Sequence, residues 1–314
     1  NTMNATKKKT KIIAHIAAVL TVICWGCSFL STKILMVDGG FTPVEMYSFR
    51  FFAAYIVILL LTFRKIFANN IKDELLFLVC GMCSGSIYFI VENFALQNTT
   101  AGNVSLLASI SPLFTAILLS VFFKVRVRNG LIVGSLIAFV GVACIILSSG
   151  NGFELHPQGD LLALLASLSW AVYSIAVKKL LPVYKSLFIT RKLFFYGVLT
   201  SLPILFIETP ISSIWEHLCL LANLTDPIYL GNFAFLVLIC SVSAYLLWNE
   251  VMKSLGTVMA NNYLYGQPLV TMISGAFILH EPIRTLGYVG CVLIIGGLIL
   301  SDKLKIGRRD RLDI

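Results

Sequence analysis

Long apolar runs, separated by short polar and basic clusters, set the pattern of this chain. Ten of them lie at roughly 12–35, 44–63, 75–96, 103–123, 130–149, 160–180, 187–207, 229–252, 259–279 and 285–301. Each is close to or beyond the length a helix needs to cross the hydrocarbon of a bilayer. The runs are continuous rather than alternating, so they read as helices and not as the strands of a barrel. The pattern predicts an all-α integral membrane protein with ten transmembrane helices.

The runs are not independent of one another. Trp25 and Lys33 recur as Trp170 and Lys178 with the same spacing, and Asn93, Pro112, Gly134 and Gly141 recur as Asn249, Pro268, Gly290 and Gly297 at one constant offset. An odd number of spans separates the copies, so the second is predicted to face the opposite way in the membrane. Two inverted five-helix repeats follow, residues 1–150 with a basic amino-terminal tail and residues 151–314 with a basic carboxyl-terminal tail. Inverted repeats mark secondary transporters, whose halves rock about a central solute site.

Composition narrows the picture. Apolar residues make up 58% and charged residues 12% of the chain, where a soluble domain carries about a quarter of its residues as charged groups. The net charge of +9 does not point to nucleic acid, because its location serves another purpose. Threading ten spans puts all but Lys33, Arg50 and Arg284 of the 24 Lys and Arg on one side. The positive-inside rule therefore places both termini in the cytoplasm, and a plasma membrane is the expected setting. Asp38, Glu154, Glu208, Glu216 and Asp226 fall on the outer loops. The basic clusters are expected to meet anionic membrane lipids. The first apolar run is longer than a signal peptide needs, so it is read as a retained first helix. Cys24/Cys27 and Cys80/Cys83 have metal-site spacing, but each pair sits inside an apolar helix with no histidine nearby. They are read as small hydrophobes, and neither metal nor cofactor is expected. No readable motif fixes the oligomeric state.

Several side chains carry candidate chemistry. Glu92 lies inside the third span, on one stripe with Gly81, Ser84, Gly85 and Tyr88, and an intramembrane carboxylate points to a solute or proton pathway. It is a candidate cation partner and proton-coupling site, or else a carboxyl near enough to the interface to reach water. Trp25 with Ser28 and Phe29, and Trp170 with Tyr173 and Ser174, share the i, i+3, i+4 face of matching helices. Together with Tyr88, Trp248 and Tyr265 they can form aromatic walls for an apolar or cationic solute, or can simply pack. Asn249, Asn261, Asn262 and Gln267 offer neutral donors and acceptors that line cavities or join helices, with Asn261 and Tyr265 sharing a face. Pro112 and Pro268 sit mid-membrane, where each frees a carbonyl (of Ala108 and of Leu264) and makes either a hinge or a plain kink.

In chain order, Trp25-Gly26, Pro43 leading to Arg50-Phe51, Phe94-Ala95-Leu96-Gln97 and Pro112 give way to Trp170, Trp248-Asn249, Leu255-Gly256, Pro268 and His280-Glu281-Pro282. A last helix rich in glycine (Gly287, Gly290, Gly296, Gly297) closes the series. This order resembles the drug/metabolite transporter superfamily, specifically its ten-helix branch with two EamA-type repeats. One departure is that Glu281 is matched by Val125 in the first repeat. The resemblance implies a small-solute exporter or exchanger whose central cavity is lined by helices one, three, four, six, eight and nine. The expected function is a secondary transporter moving an amino acid, amine or amphipathic drug-like solute outward by alternating access. The alternative is import or exchange of a cationic amine or another metabolite. An intramembrane enzyme is disfavoured because no HExxH motif occurs, and a receptor or scaffold because the loops and tails are short. No Walker loop is present, so a gradient must drive the cycle.

Overall fold

The computed structural model describes residues 2–62, 65–98, 101–124, 129–148, 156–223, 227–278 and 284–303. Arg64, Val125, Arg126, Arg128, Glu154, Asp226, His280, Glu281 and the tail from residue 304 lie outside the described residues, as do the side chains of Phe29, Lys33, Asn93 and Gln97. Regular structure among the described residues is entirely helical. The rods are α1 (Thr2–Lys33, continued by a π segment, Ile34–Asp38), α2 (Pro43–Leu61) and α3 (Ile71–Gly81, the π segment Met82–Ser86, then Ile87–Asn98). Next come α4 (Ala101–Ala108 and Ser111–Phe123), α5 (Asn129–Ser148), α6 (Pro157–Lys178), α7 (Ser186–Glu208) and a short α8 (Ile211–Leu221). The chain ends with α9 (Pro227–Ala234, the π segment Phe235–Ser243, Ala244–Leu255), α10 (Thr257–Asn262, the 3₁₀ turn Tyr263–Tyr265, Gly266–Ile278) and α11 (Thr285–Lys303). Among the described residues eight helices are long and apolar enough to cross a membrane, and α10 and α11 complete the sequence of rods. The chain is an integral membrane protein.

Local sequence explains where rods begin. Thr42 accepts the Glu45 N–H at 3.2 Å while Glu45 Oε2 accepts the Thr42 N–H at 2.8 Å, a capping box with Pro43 in the first turn. Asn70 caps α3 by accepting the Asp73 N–H at 2.8 Å. Along α1, Ile12, Ile16, Val19, Leu20 and Ile23 are exposed while Ala14, Ala17, Ala18, Thr21, Val22 and Trp25 are buried. That helical stripe turns one face to lipid and the other to protein. The short helix α8, with Ile211, Trp215 and Leu218 exposed on it, stands where the sequence reading has only an outer loop.

Packing joins the early rods to the late ones. Helix α3 lies on α6 and α9 on α1; α4 lies on α6 and α10 on α1; α2 faces α7, and α5 runs along α11. The last contact has the closest backbone approach. A Cβ on Gly134 would stand 2.5 Å from the Gly297 carbonyl, and one on Gly297 would stand 2.5 Å from that of Gly134. Gly141 and Gly290 oppose each other in the same way, at 2.7 and 2.6 Å. Only glycine permits such contact, which is how small residues bring membrane helices together.

Candidate functional site

Six aromatic rings close a circuit at the centre of the bundle. Centroid distances run 5.9 Å from Trp25 to Trp170, 5.4 Å on to Tyr88 and 5.1 Å to Phe89. They continue 5.4 Å to Phe51, 5.9 Å to Tyr245 and 5.6 Å back to Trp25. The contributing rods are α1, α2, α3, α6 and α9. Trp248 packs on Trp25 at 5.1 Å, and Tyr173 packs on Trp170 at 5.1 Å. Most of these contacts are edge-on or tilted, the geometry ring quadrupoles favour. The Trp248 Nε1–H and the Tyr173 hydroxyl are buried with no hydrogen-bond partner among the described residues.

Two π segments shape this centre. A π turn widens the helix by one residue and is common at functional positions. Met82–Ser86 in α3, shifted by the offset that relates Asn93 to Asn249, falls on 238–242, inside Phe235–Ser243 of α9. Both segments present carbonyls to distant side chains. The Cys240 carbonyl accepts from Trp25 Nε1 at 2.9 Å, that of Cys83 from the Ser169 hydroxyl at 2.8 Å, and that of Ser84 from the Tyr245 hydroxyl at 3.3 Å.

Charge enters the centre at two points. Tyr88 donates to Glu92 Oε1 at 2.9 Å. Arg50, read from sequence as lying near the outer side, is only 7% exposed and sits between α2 and α9. Its Nε donates to the Ser241 hydroxyl at 2.6 Å, and its guanidinium carbon stands 5.2 Å from the Phe51 ring. A further acid, the buried Glu45, is paired at 3.0 Å with His217 of α8, and Phe41 stacks on that imidazole at 4.4 Å.

The structure thus brings together Trp25, Tyr88, Glu92, Trp170, Tyr173 and Trp248. Ser28 turns back on its own helix, donating to the Trp25 carbonyl at 2.7 Å. Asn261 is a junction rather than a free donor. Its amide donates to Thr115 at 2.9 Å and to Ser174 at 2.8 Å, and its carbonyl accepts from Trp170 Nε1 at 3.3 Å. Asn249 is directed at α7, donating to Thr190 at 2.9 Å. Tyr265 belongs to a separate cluster with Ala138, Val142 and Ile294 along α5 and α11. Each proline follows a helix break rather than bending a continuous rod: Pro112 lies just after the turn at residues 109–110, and Pro268 just after Tyr263–Tyr265. The Ala108 carbonyl accepts from Ser167 of α6 at 3.2 Å, which supplies the partner that a freed carbonyl requires in a membrane. The residues missed by sequence reasoning are Arg50, Phe51, Phe89, Ser241 and Tyr245. A lone cation inside the apolar run 44–63 was the available signal.

A second polar region lies at the basic end. Arg191 of α7 donates to the carbonyls of Thr62 and Lys65, and Lys192 and Tyr196 both bond Glu74 of α3. Glu74 also accepts the Ala68 N–H at 2.8 Å, and Tyr184 donates to Asp73 at 2.6 Å. Burial and that bond push the Tyr184 phenol up from its ordinary value.

The comparisons with known proteins agree with this architecture. A crystal structure with 16% identity superposes with a TM-score of 0.72, covering 92% of this chain and 96% of its own, and so shares the fold. A probable terminal-alkyne amino-acid exporter of Streptantibioticus cattleyicolor is 26% identical over 93% of this chain and 94% of that protein. A probable amino-acid metabolite efflux pump of Escherichia coli is 24% identical over 91% and 93%. An uncharacterized transporter of Archaeoglobus fulgidus is 25% identical over 91% and 97%. The EamA-like transporter model matches twice, over residues 12–147 and 157–301, and the chain belongs to that family.

Proposed function

We propose that this protein exports an amino acid or a chemically related small metabolite from the cytoplasm across the plasma membrane. It does so by alternating access of two oppositely facing halves, residues 1–150 and 151–314, with both termini inside. The observation that carries this reading is the ring circuit, built by rods from both halves, with Trp25, Phe51, Trp170 and Tyr245 buried. Rocking one half against the other parts Trp25 from Trp170 and exposes ring faces that hold an amphipathic solute. The reciprocal contact of Gly134 with Gly297 and of Gly141 with Gly290 supports the inverted relation. Residues equivalent by the repeat offset exchange partners there, as they do across a two-fold axis. The basic end is the cytoplasmic end, and its network ties 62–74 to 184–196. Inward opening must break it. Pro112 and Pro268 place the freed backbone beside the moving surfaces, and Glu92 is the proton-coupling carboxylate.

The test is flux of labelled amino acids and amines from proteoliposomes, wild type against Glu92→Gln. Outward flux well above empty liposomes, with a pH dependence that Glu92→Gln abolishes, is the expected result. Absence of flux for the whole panel would overturn export of this class. Import or exchange of a cationic amine is the second reading, favoured by the carboxylate of Glu92 beside aromatic faces. It wins if amines move and amino acids do not.

A further inference from the structure

We infer that Arg50 is an anion-binding residue of the transport site and that the solute it receives carries a carboxylate. This inference rests on the transport reading above and deepens it by naming the recognised group.

Arg50 is buried, yet its single hydrogen bond runs from Nε to the neutral Ser241 hydroxyl. The guanidinium has five donors in a planar fork, and the Nη groups bond no described residue. Among the described residues no carboxylate pairs with it. The titratable groups that act on it are Cys240, Tyr245 and Tyr47, none of them a carboxylate. Glu45, on the same helix, is committed to His217 and to the Thr42 N–H. Glu92 is bonded to Tyr88. A buried cation without a counter-ion is costly, and proteins retain one where a partner arrives. The free Nη edge matches a carboxylate, which it can bind through two parallel hydrogen bonds.

Position agrees with that role. Arg50 lies seven residues past Pro43, about 10 Å along the helix axis, and is only 7% exposed. Its guanidinium stands over Phe51, one ring of the circuit, which packs on Tyr245, another. Ser241, which holds Nε, belongs to the π segment whose Cys240 carbonyl anchors Trp25. Any movement that parts Trp25 from its neighbours therefore reaches Arg50 through one short stretch of backbone. The circuit supplies the apolar contact and Arg50 the charge, which together suit an amphipathic acid better than a simple amine.

The experiment compares three solutes in proteoliposome counterflow: L-phenylalanine, L-phenylalaninamide and phenethylamine. They share a ring and an amine and differ in the carboxylate. Wild type is expected to carry the acid at least about tenfold faster than the amide or the amine, since a site built to hydrogen-bond a group rejects analogues lacking it. Arg50→Gln should reduce the acid to the rate of the amide, and Arg50→Lys should keep part of the preference through a point charge without the fork. Equal rates for acid and amide in wild type overturn the assignment while leaving transport standing, and so does a preference that survives in Arg50→Gln. Flux of none of the three overturns the amino-acid reading and this inference together. The wild-type ratio is decisive even if Arg50→Gln does not fold.

Discussion

Two buried arginines in this bundle live in opposite circumstances. Arg191, at the basic end, donates to the carbonyls of Thr62 and Lys65, reaches Ile66 O and Thr62 Oγ1 at 3.4 Å each, and lies 5.0 Å from the Phe188 ring. Arg50, at the centre, hydrogen-bonds Ser241 alone among the described residues and lies 5.2 Å from the Phe51 ring. The acids repeat the contrast. Glu74 receives Lys192, Tyr196 and the Ala68 N–H, whereas among the described residues Glu92 receives only Tyr88. A polar group whose valences are filled from within holds structure together; one left short is poised for an outside partner. The same residue types therefore mark a strut at one end and a receptor in the middle, and what separates them is satisfaction, not burial.

The strut should yield the largest stability loss. Lys192→Met leaves Glu74 without its ion pair while keeping most of the side-chain volume. The expected cost is about 3 kcal/mol, the low end of the range for breaking a buried pair, because Glu74 retains some water. Thermal unfolding in detergent reads it as a clear fall in melting temperature. A melting temperature equal to wild type would mean that the basic-end network is ornamental, and the contrast with Arg50 would lose one of its terms.

Asn261 ranks next. Its amide joins α4, α6 and α10 through Thr115, Ser174 and Trp170. Asn261→Ala strands the Trp170 Nε1–H in the apolar layer, leaves Thr115 and Ser174 only their bonds to the Ser111 and Trp170 carbonyls, and opens a small void, for a loss of about 2 kcal/mol. If the same variant unfolds like wild type but loses solute affinity, Asn261 belongs with the receptor and not with the struts.

How much of this was legible in the chain depends on whether the signal was local. Trp25 and Trp170 stood out because a bulky ring recurs at matching places in two apolar runs, and the structure puts them in contact. Helix α8 was legible too, since Ile211, Ile214, Trp215 and Leu218 follow helical spacing, but its shortness let it pass as loop. The π segments were not, because a register change inside a uniformly apolar run leaves hydropathy untouched. Asn261 shows the limit for polar residues: its type says that it will hydrogen-bond, and only the fold says that α4 and α6 supply every partner. Arg50 was passed over as a site residue because counting charges by side uses each cation only for orientation, and Pro43 put this one close to a span end. The basic-end network escaped for a different reason. It pairs a short connection at 62–70 with α7 more than a hundred residues away, and hydropathy carries no trace of such partners.

The smallest expected change is the most telling. Arg50→Met removes an unpaired buried charge and one hydrogen bond, and puts a flexible apolar chain of similar length beside Phe51 and Tyr245. Relief of the desolvation cost offsets the lost contacts, so ligand-free stability should stay within about 1 kcal/mol of wild type or rise. The difference appears when solute is added. A ligand stabilises the state it binds by RT ln(1 + [L]/Kd), so L-phenylalanine should raise the melting temperature of wild type and leave that of Arg50→Met where it was. A ligand-free loss as large as that of Lys192→Met would make Arg50 a strut after all. Satisfaction would then no longer distinguish the two arginines, and the centre would have to find its selectivity in Glu92 and the rings alone.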